Sequence, residues 1–162
     1  MCVSKIVSLF RKPKVVLTEP EPTPVTIPEI PIPDCRRIVT WDFLFNILNN
    51  AHPTAPHIYM RDNNYVLCTK DSFQVYLDSD PTNKEAYIPE EHDCDDFTYE
   101  VMGATSKMPW SKIAKGIIWT NLHAFMVFID YTGKLWYVEP QNDQIVDRWE
   151  LYFGSEITFI AM

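Results

Sequence analysis

Cys94 is the residue in this sequence best placed to act as a nucleophile. It follows Asp93, a residue type that caps helices, so Cys94 would lie in the first turn of a helix. Backbone N–H groups and the helix dipole stabilise a thiolate or an oxyanion there. Asp95 and Asp96 stand in the same turn, and like charges raise the pKa of a thiol. A histidine would therefore have to supply the remaining stabilisation.

His123 and Glu139 are the partners that hairpin geometry selects for this cysteine. They flank a three-residue loop that ends in a glycine, and an ordinary hairpin with this loop pairs Asp130 with Lys134. In that register His123 faces Gln141, and Glu139 lies diagonally across on the same face, about 7 Å away between Cα atoms. Glu139 would then orient the imidazole, with Gln141 as the alternative. A β-bulge after the loop would shift this register.

The order of these residues resembles that of transglutaminase-like, papain-related cysteine peptidases, including members that phages encode. The matching features are a helix that opens on Asp93-Cys94-Asp95-Asp96-Phe97, a strand led by His123, and a next strand that ends Val138-Glu139-Pro140. The resemblance covers about residues 85–141. It implies an α+β fold in which the cysteine helix packs on an antiparallel sheet.

The resemblance also implies acyl transfer through a thioester. Cys94, His123 and Glu139 would be the catalytic residues, supported by Asp93 and Gln141, and no cofactor is expected. The acid in this sequence is Glu139, whereas aspartate is usual at this place in the family.

Other interpretations of the same residues stay open. A lone cysteine in a helix, or a histidine before an apolar strand, is more often a packing residue than a catalytic one. The acidic run from Glu90 to Asp96 suggests a metal site, but it lacks the alternating oxygen ligands and the glycine of a calcium loop. The four cysteines also lack the spacing of a zinc site. We therefore expect no metal, and His92 is too close to Cys94 in sequence to be its in-line base.

Three helices and five strands are predicted around these residues. Thr40, Thr69 and Asp93 are the predicted helix caps, and apolar residues at helical spacing follow each of them. After Pro109 the chain instead alternates apolar and polar residues, which is typical of strands. The predicted strands are 116–120, 123–130, 134–139, 144–149 and 156–160. Helices followed by an antiparallel sheet is an α+β order, as in a transglutaminase-like or papain-like core.

The chain divides into an N-terminal arm and one domain. Residues 1–12 read as a basic amphipathic tip, and residues 13–33 are rich in proline, which favours an extended polyproline II spacer. We place the boundary so that residues 1–35 form the arm and residues 36–162 form a transglutaminase-like domain. The arm is interpreted as a tether or strap, or as a device that docks the domain to a larger protein assembly.

Charge and cysteine usage exclude several classes of protein. The formal net charge is −8, and an acidic body repels phosphates, which argues against nucleic-acid binding. No apolar stretch approaches the roughly 20 residues of a membrane span, so no transmembrane segment is expected. The cysteines show no disulfide framework, which predicts free thiols and a place in the cytoplasm of a host cell or in a virion.

Three functions fit these observations. The first is a cysteine hydrolase or acyltransferase that acts on an amide bond of a protein or peptide through Cys94, His123 and Glu139. The second is a catalytically inert transglutaminase-like fold that serves as a structural or assembly module, for example in a phage particle, and is docked by its arm. The third is carbohydrate binding, suggested by the 5 tryptophans and 8 tyrosines.

Overall fold

The structure is a computed structural model that describes residues 29–149 and 156–162. Predictions for residues 1–28, which include most of the arm, lie outside the described residues. The described residues hold eight strands: β1 Cys35–Thr40, β2 Ile58–Tyr59, β3 Asn64–Cys68, β4 Lys115–Thr120, β5 Ala124–Ile129, β6 Leu135–Glu139, β7 Gln144–Val146 and β8 Ile157–Ala161. They also hold three α-helices: α1 Trp41–Ala51, α2 Lys70–Ser79 and α3 Cys94–Ala104.

Six of the strands form one sheet in the order β2-β8-β4-β5-β6-β7. The pair β2 and β8 is parallel, and the other pairs in this sheet are antiparallel. Strands β1 and β3 form a separate antiparallel pair. A single parallel bridge between Val66 and Ile113 links that pair to the chain just before β4.

The three predicted helices are present and begin where their caps were predicted. Thr69 accepts a hydrogen bond from the backbone N–H of Ser72, 3.1 Å away, and Asp93 forms a reciprocal capping box with Asp96 at the start of α3. Thr40 precedes α1, but its side chain makes no cap hydrogen bond. Residue type was therefore sufficient to predict where these helices start.

Strand β5 lies at the centre of the core because both of its faces are buried. Phe125, Val127 and Ile129 point to a cluster that includes residues of α1. Met126 and Phe128 point to the opposite cluster, which includes residues of α2 and α3. Because side chains alternate along a strand, one apolar run fills both sides of the sheet.

The predicted α+β order, with helices first and an antiparallel sheet afterwards, is wrong, and so is the transglutaminase-like or papain-like core. A strand precedes the first helix, and β2 and β3 lie between α1 and α2. These strands carry weak sequence signals. Only Val39 is buried in β1, and the two residues of β2 find their partners in β8, at the far end of the chain. The fold consists mostly of sheet, with helices inserted between some of the strands.

Two further predictions can be compared with the described residues. Cys35, Cys68 and Cys94 are free thiols, and Cys2 lies outside the described residues. Cys35 and Cys68 are cross-strand partners in the β1–β3 pair. No α-helix in the described part of the chain is long and apolar enough to cross a membrane.

Candidate functional site

A tight turn between β4 and β5 places His123. The backbone N–H of Thr120 donates to the carbonyl of His123 at 2.8 Å. The Thr120 hydroxyl oxygen accepts in return from the backbone N–H groups of His123, at 2.9 Å, and of Leu122, at 3.2 Å. Because one side chain and one backbone pair close the turn, the position of His123 at the head of β5 is well defined.

The hairpin of β5 and β6 brings Glu139 to His123, as its predicted register requires. Met126 pairs with Val138, and the backbone N–H of Asp130 donates to the carbonyl of Lys134 at 3.0 Å. The register between these two described strands runs without a bulge. Glu139 Oε2 then lies 2.6 Å from His123 Nε2. The predicted contact between imidazole and carboxylate is therefore present.

Glu139 is itself held in place. It is buried, and its Oε1 accepts a hydrogen bond from the backbone N–H of Gln141 at 3.1 Å. Gln141 thus supports the site through its backbone. Glu139 thus engages Nε2 and orients the imidazole of His123.

Cys94 is half-buried in the first turn of α3, as predicted. Burial raises the pKa of its thiol, and the carboxylates of Asp93 and Asp95 raise it further, whereas a hydrogen bond from the backbone of Ala124 lowers it. The helix terminus does not outweigh burial and two acids. The surroundings of Cys94 therefore favour the neutral thiol over the thiolate.

Asp93 and Asp95 form a hydrogen-bonded pair beside this thiol. The hydrogen bond between their side chains lowers the pKa of Asp93 and raises that of Asp95. The two residues therefore place two acidic side chains, whose oxygens accept hydrogen bonds, side by side at the edge of the thiol.

These residues open onto one cleft of about 280 Å³. Asp93, Cys94 and Asp95 line it from the start of α3, and Trp119 to Ala124 line it from the β4–β5 turn. Of the predicted site residues, Asp93, Cys94 and His123 meet in this cleft. Glu139 stands behind His123, and Gln141 stands behind Glu139.

Trp119 contributes to the cleft in a way that the sequence did not predict. Its ring lies between Tyr99, with centroids 6.1 Å apart, and Phe159, with centroids 5.0 Å apart. Phe159 in turn contacts Tyr59. These four residues form an aromatic stripe that runs from α3 across β4 and β8 to β2. Trp119 and Phe159 come from distant parts of the sequence, and the one local signal was the nearness of Trp119 to His123.

Comparison with known proteins gives structural neighbours only. No protein-family model and no curated protein matches the chain. A solved structure described as "PSL1a-E64 complex" matches with a TM-score of 0.66 and 19% identity, over 77% of this chain and 50% of that one. A Polyporus squamosus lectin bound to the epitope Neu5Aca2-6Galb1-4GlcNAc matches with a TM-score of 0.63 and 20% identity, over 77% and 49%. The chain thus spans about half the length of each neighbour, and this likeness shows the fold alone.

The resemblance to transglutaminase-like, papain-related peptidases is corrected by these neighbours, which are chains of a lectin. The predicted function as a cysteine hydrolase or acyltransferase is wrong with it, and the inert transglutaminase-like assembly module is unsupported. The motifs behind the resemblance were short. An aspartate before a helix is a general capping signal, and a histidine opposite an acid in a hairpin occurs in many sheets.

Proposed function

We propose that this chain binds carbohydrate in the cleft beside Cys94. The observation that carries the proposal is the joint presence of the Trp119 ring and the Asp93–Asp95 pair in one open cleft. An aromatic ring presents a negative face that suits the C–H face of a sugar ring. The carboxylates of Asp93 and Asp95 can accept hydrogen bonds from sugar hydroxyls. One structural neighbour is a lectin bound to a trisaccharide, which agrees with this proposal.

The charge of the cleft favours neutral sugars. Asp93 and Asp95 line it, and the chain as a whole carries a formal charge of −8. A ligand carboxylate, such as that of sialic acid, would be repelled by like charge. We therefore expect a neutral saccharide such as Galβ1-4GlcNAc to bind more tightly than the sialylated trisaccharide that the neighbouring lectin holds.

Trp119→Ala is expected to weaken saccharide binding at least tenfold, because it removes the aromatic side chain that lines the cleft. Asn121→Ala changes an exposed side chain of the same turn and tests the cleft without touching the core. Affinity would be measured by isothermal titration with Galβ1-4GlcNAc and with a panel of neutral oligosaccharides, on protein whose fold is checked by circular dichroism.

Trp41→Ala is the matched control, because Trp41 is also partly exposed, at 45%, but lies outside this cleft. It should bind saccharide as the wild type does. Failure of every neutral saccharide to bind at millimolar concentration would refute the proposal. Equal affinity of the wild type and the Trp119 variant would refute the assignment of this cleft as the binding site.

A second proposal concerns Cys94, His123 and Glu139, which we infer form a reactive-thiol site in this cleft. It is supported by the 2.6 Å contact between His123 and Glu139, and by the presence of Cys94 and His123 in one cleft. The raised pKa of Cys94 keeps its thiol protonated near neutral pH. An assisting base is therefore needed, and His123 is the residue assigned to take the proton.

Alkylation by iodoacetamide tests this assignment. The sulfur of Cys94 forms a bond to carbon as iodide leaves, and the thiol proton passes to His123. His123→Ala should slow alkylation of Cys94 at pH 7 by about a hundredfold, the order of effect of a positioned base. Mass spectrometry would follow Cys94, with exposed Cys35 as the internal reference and His57→Ala, at an exposed histidine, as the control. Equal rates in wild type and the His123 variant would show that the two residues act independently.

A further inference from the structure

Glu85, His92 and Glu100 converge at one point outside the cleft. His92 Nε2 lies 3.2 Å from a carboxylate oxygen of Glu100 and 3.6 Å from one of Glu85. The three ligand atoms all lie within 4.8 Å of one another. Glu85 and His92 come from the loop before α3, and Glu100 comes from the second half of that helix. One imidazole nitrogen and two carboxylates therefore face a common space.

The orientation of the His92 ring is set by groups outside this trio. Nδ1 lies 3.1 Å from the carbonyl oxygen of Ala86, to which it can only donate, so the proton of a neutral imidazole is held there. The ring also packs on Phe97, with centroids 4.4 Å apart. The loop is closed by two hydrogen bonds between the backbones of Ile88 and His92, of 2.9 and 2.8 Å. A hydrogen bond from the non-ligating nitrogen to a backbone carbonyl is the support that metal-binding histidines usually have.

We propose that Glu85, His92 and Glu100 form a binding site for a divalent transition-metal ion, with zinc as the best match. With the proton on Nδ1, the Nε2 lone pair faces two carboxylates, an arrangement that a cation stabilises. Imidazole together with carboxylate suits zinc, whereas calcium takes oxygen ligands alone. Three protein ligands on a partly exposed surface leave room for water at the remaining coordination position.

The competing explanation is an ion pair in which a protonated His92 bridges the two glutamates. The two explanations differ in what they require. An ion pair needs no metal, whereas the proposed site gains affinity from all three side chains together. Binding at this site is independent of saccharide binding in the cleft, so either proposal can fail alone.

Isothermal titration of the full chain with zinc chloride at pH 7.5 tests the inference. One ion per chain should bind with a micromolar dissociation constant. His92→Ala and Glu100→Gln should each weaken binding at least tenfold, since each removes one ligand. Glu91→Gln, at an exposed neighbouring acid outside the trio, should stay within twofold of the wild type.

Calcium chloride is the second probe, and it should bind at least tenfold more weakly than zinc at this site. Thermal unfolding of each variant without metal checks that the fold is kept. Zinc affinity unchanged in the His92 variant would overturn the site. No binding by the wild type up to millimolar zinc would also overturn it and leave the ion pair as the explanation.

Discussion

Gly116→Ala is expected to destabilise the domain by about 3 kcal/mol, the upper part of the range for overpacked cores. A methyl group on Gly116 would lie 2.3 Å from the carbonyl oxygen of Ala161 and 2.7 Å from Cγ of Met162. The first of these atoms is backbone of β8, so β4 and β8 would have to move apart. Urea denaturation followed by tryptophan fluorescence measures the loss as a fall in the free energy of unfolding.

Gly103→Ala is the matched control for this substitution. Gly103 lies inside α3, and a methyl group there would meet nothing within 4 Å. Alanine should stabilise the helix by about 0.5–1 kcal/mol, because glycine loses more conformational freedom on folding. If the two substitutions changed stability by the same amount, the close approach of β4 and β8 at Gly116 would be refuted.

Asp130→Asn is expected to destabilise the domain by about 2–4 kcal/mol at pH 7, because a buried, charged acceptor is lost. The carboxylate of Asp130 accepts from the backbone N–H of Thr132 at 2.8 Å and of Lys134 at 3.1 Å. It also accepts from the indole N–H of Trp136 at 2.8 Å. Asparagine can keep some of these bonds through its one oxygen, but its amide group cannot accept.

The stability lost in Asp130→Asn should become smaller as the pH falls. Burial acts to raise the pKa of Asp130, but the hydrogen bonds from Thr132, Trp136 and Lys134 outweigh it, so the pKa is lowered. Its contribution to stability is therefore fully present above the unfolded pKa of about 3.9 and is lost as the pH falls through the folded pKa. The difference in the free energy of unfolding between wild type and Asp130→Asn should decrease below about pH 4.

Asp147→Asn controls for the removal of a charge. Asp147 is exposed and lies 3.5 Å from Lys134 in a surface ion pair, so its loss should change stability by less than about 1 kcal/mol. Thermal and urea unfolding at pH 3, 5 and 7 would compare the three proteins. A gap that stayed constant from pH 7 to pH 3 would contradict the role assigned to the Asp130 carboxylate.

Local rules were sufficient for the helices and for the hairpin that holds His123. Thr69 and Asp93 cap α2 and α3 through their own side chains. The loop after Asp130 set the β5–β6 register, and the register brought Glu139 to His123. These features depend on residues at most 16 positions apart along the chain. Short-range spacing therefore carries their geometry.

Short-range spacing did not predict the features that join distant segments of the chain. The two-residue strand β2 exists because β8 pairs with it. The aromatic stripe needs Tyr59, Tyr99 and Phe159 to meet at Trp119. In each case the local sequence has only a weak structural preference, and contacts with residues far away in the sequence determine the structure.

The sequence by itself determined where the helices start, which hairpin forms and which imidazole meets which carboxylate, since capping and loop geometry act over a few residues. Only the tertiary structure decided the architecture, because the chain order of elements does not say which strands become neighbours in the sheet. Packing also decided that the surroundings of Cys94 favour the neutral thiol. Its place at a helix terminus favours a thiolate, but burial and two neighbouring acids raise its pKa instead.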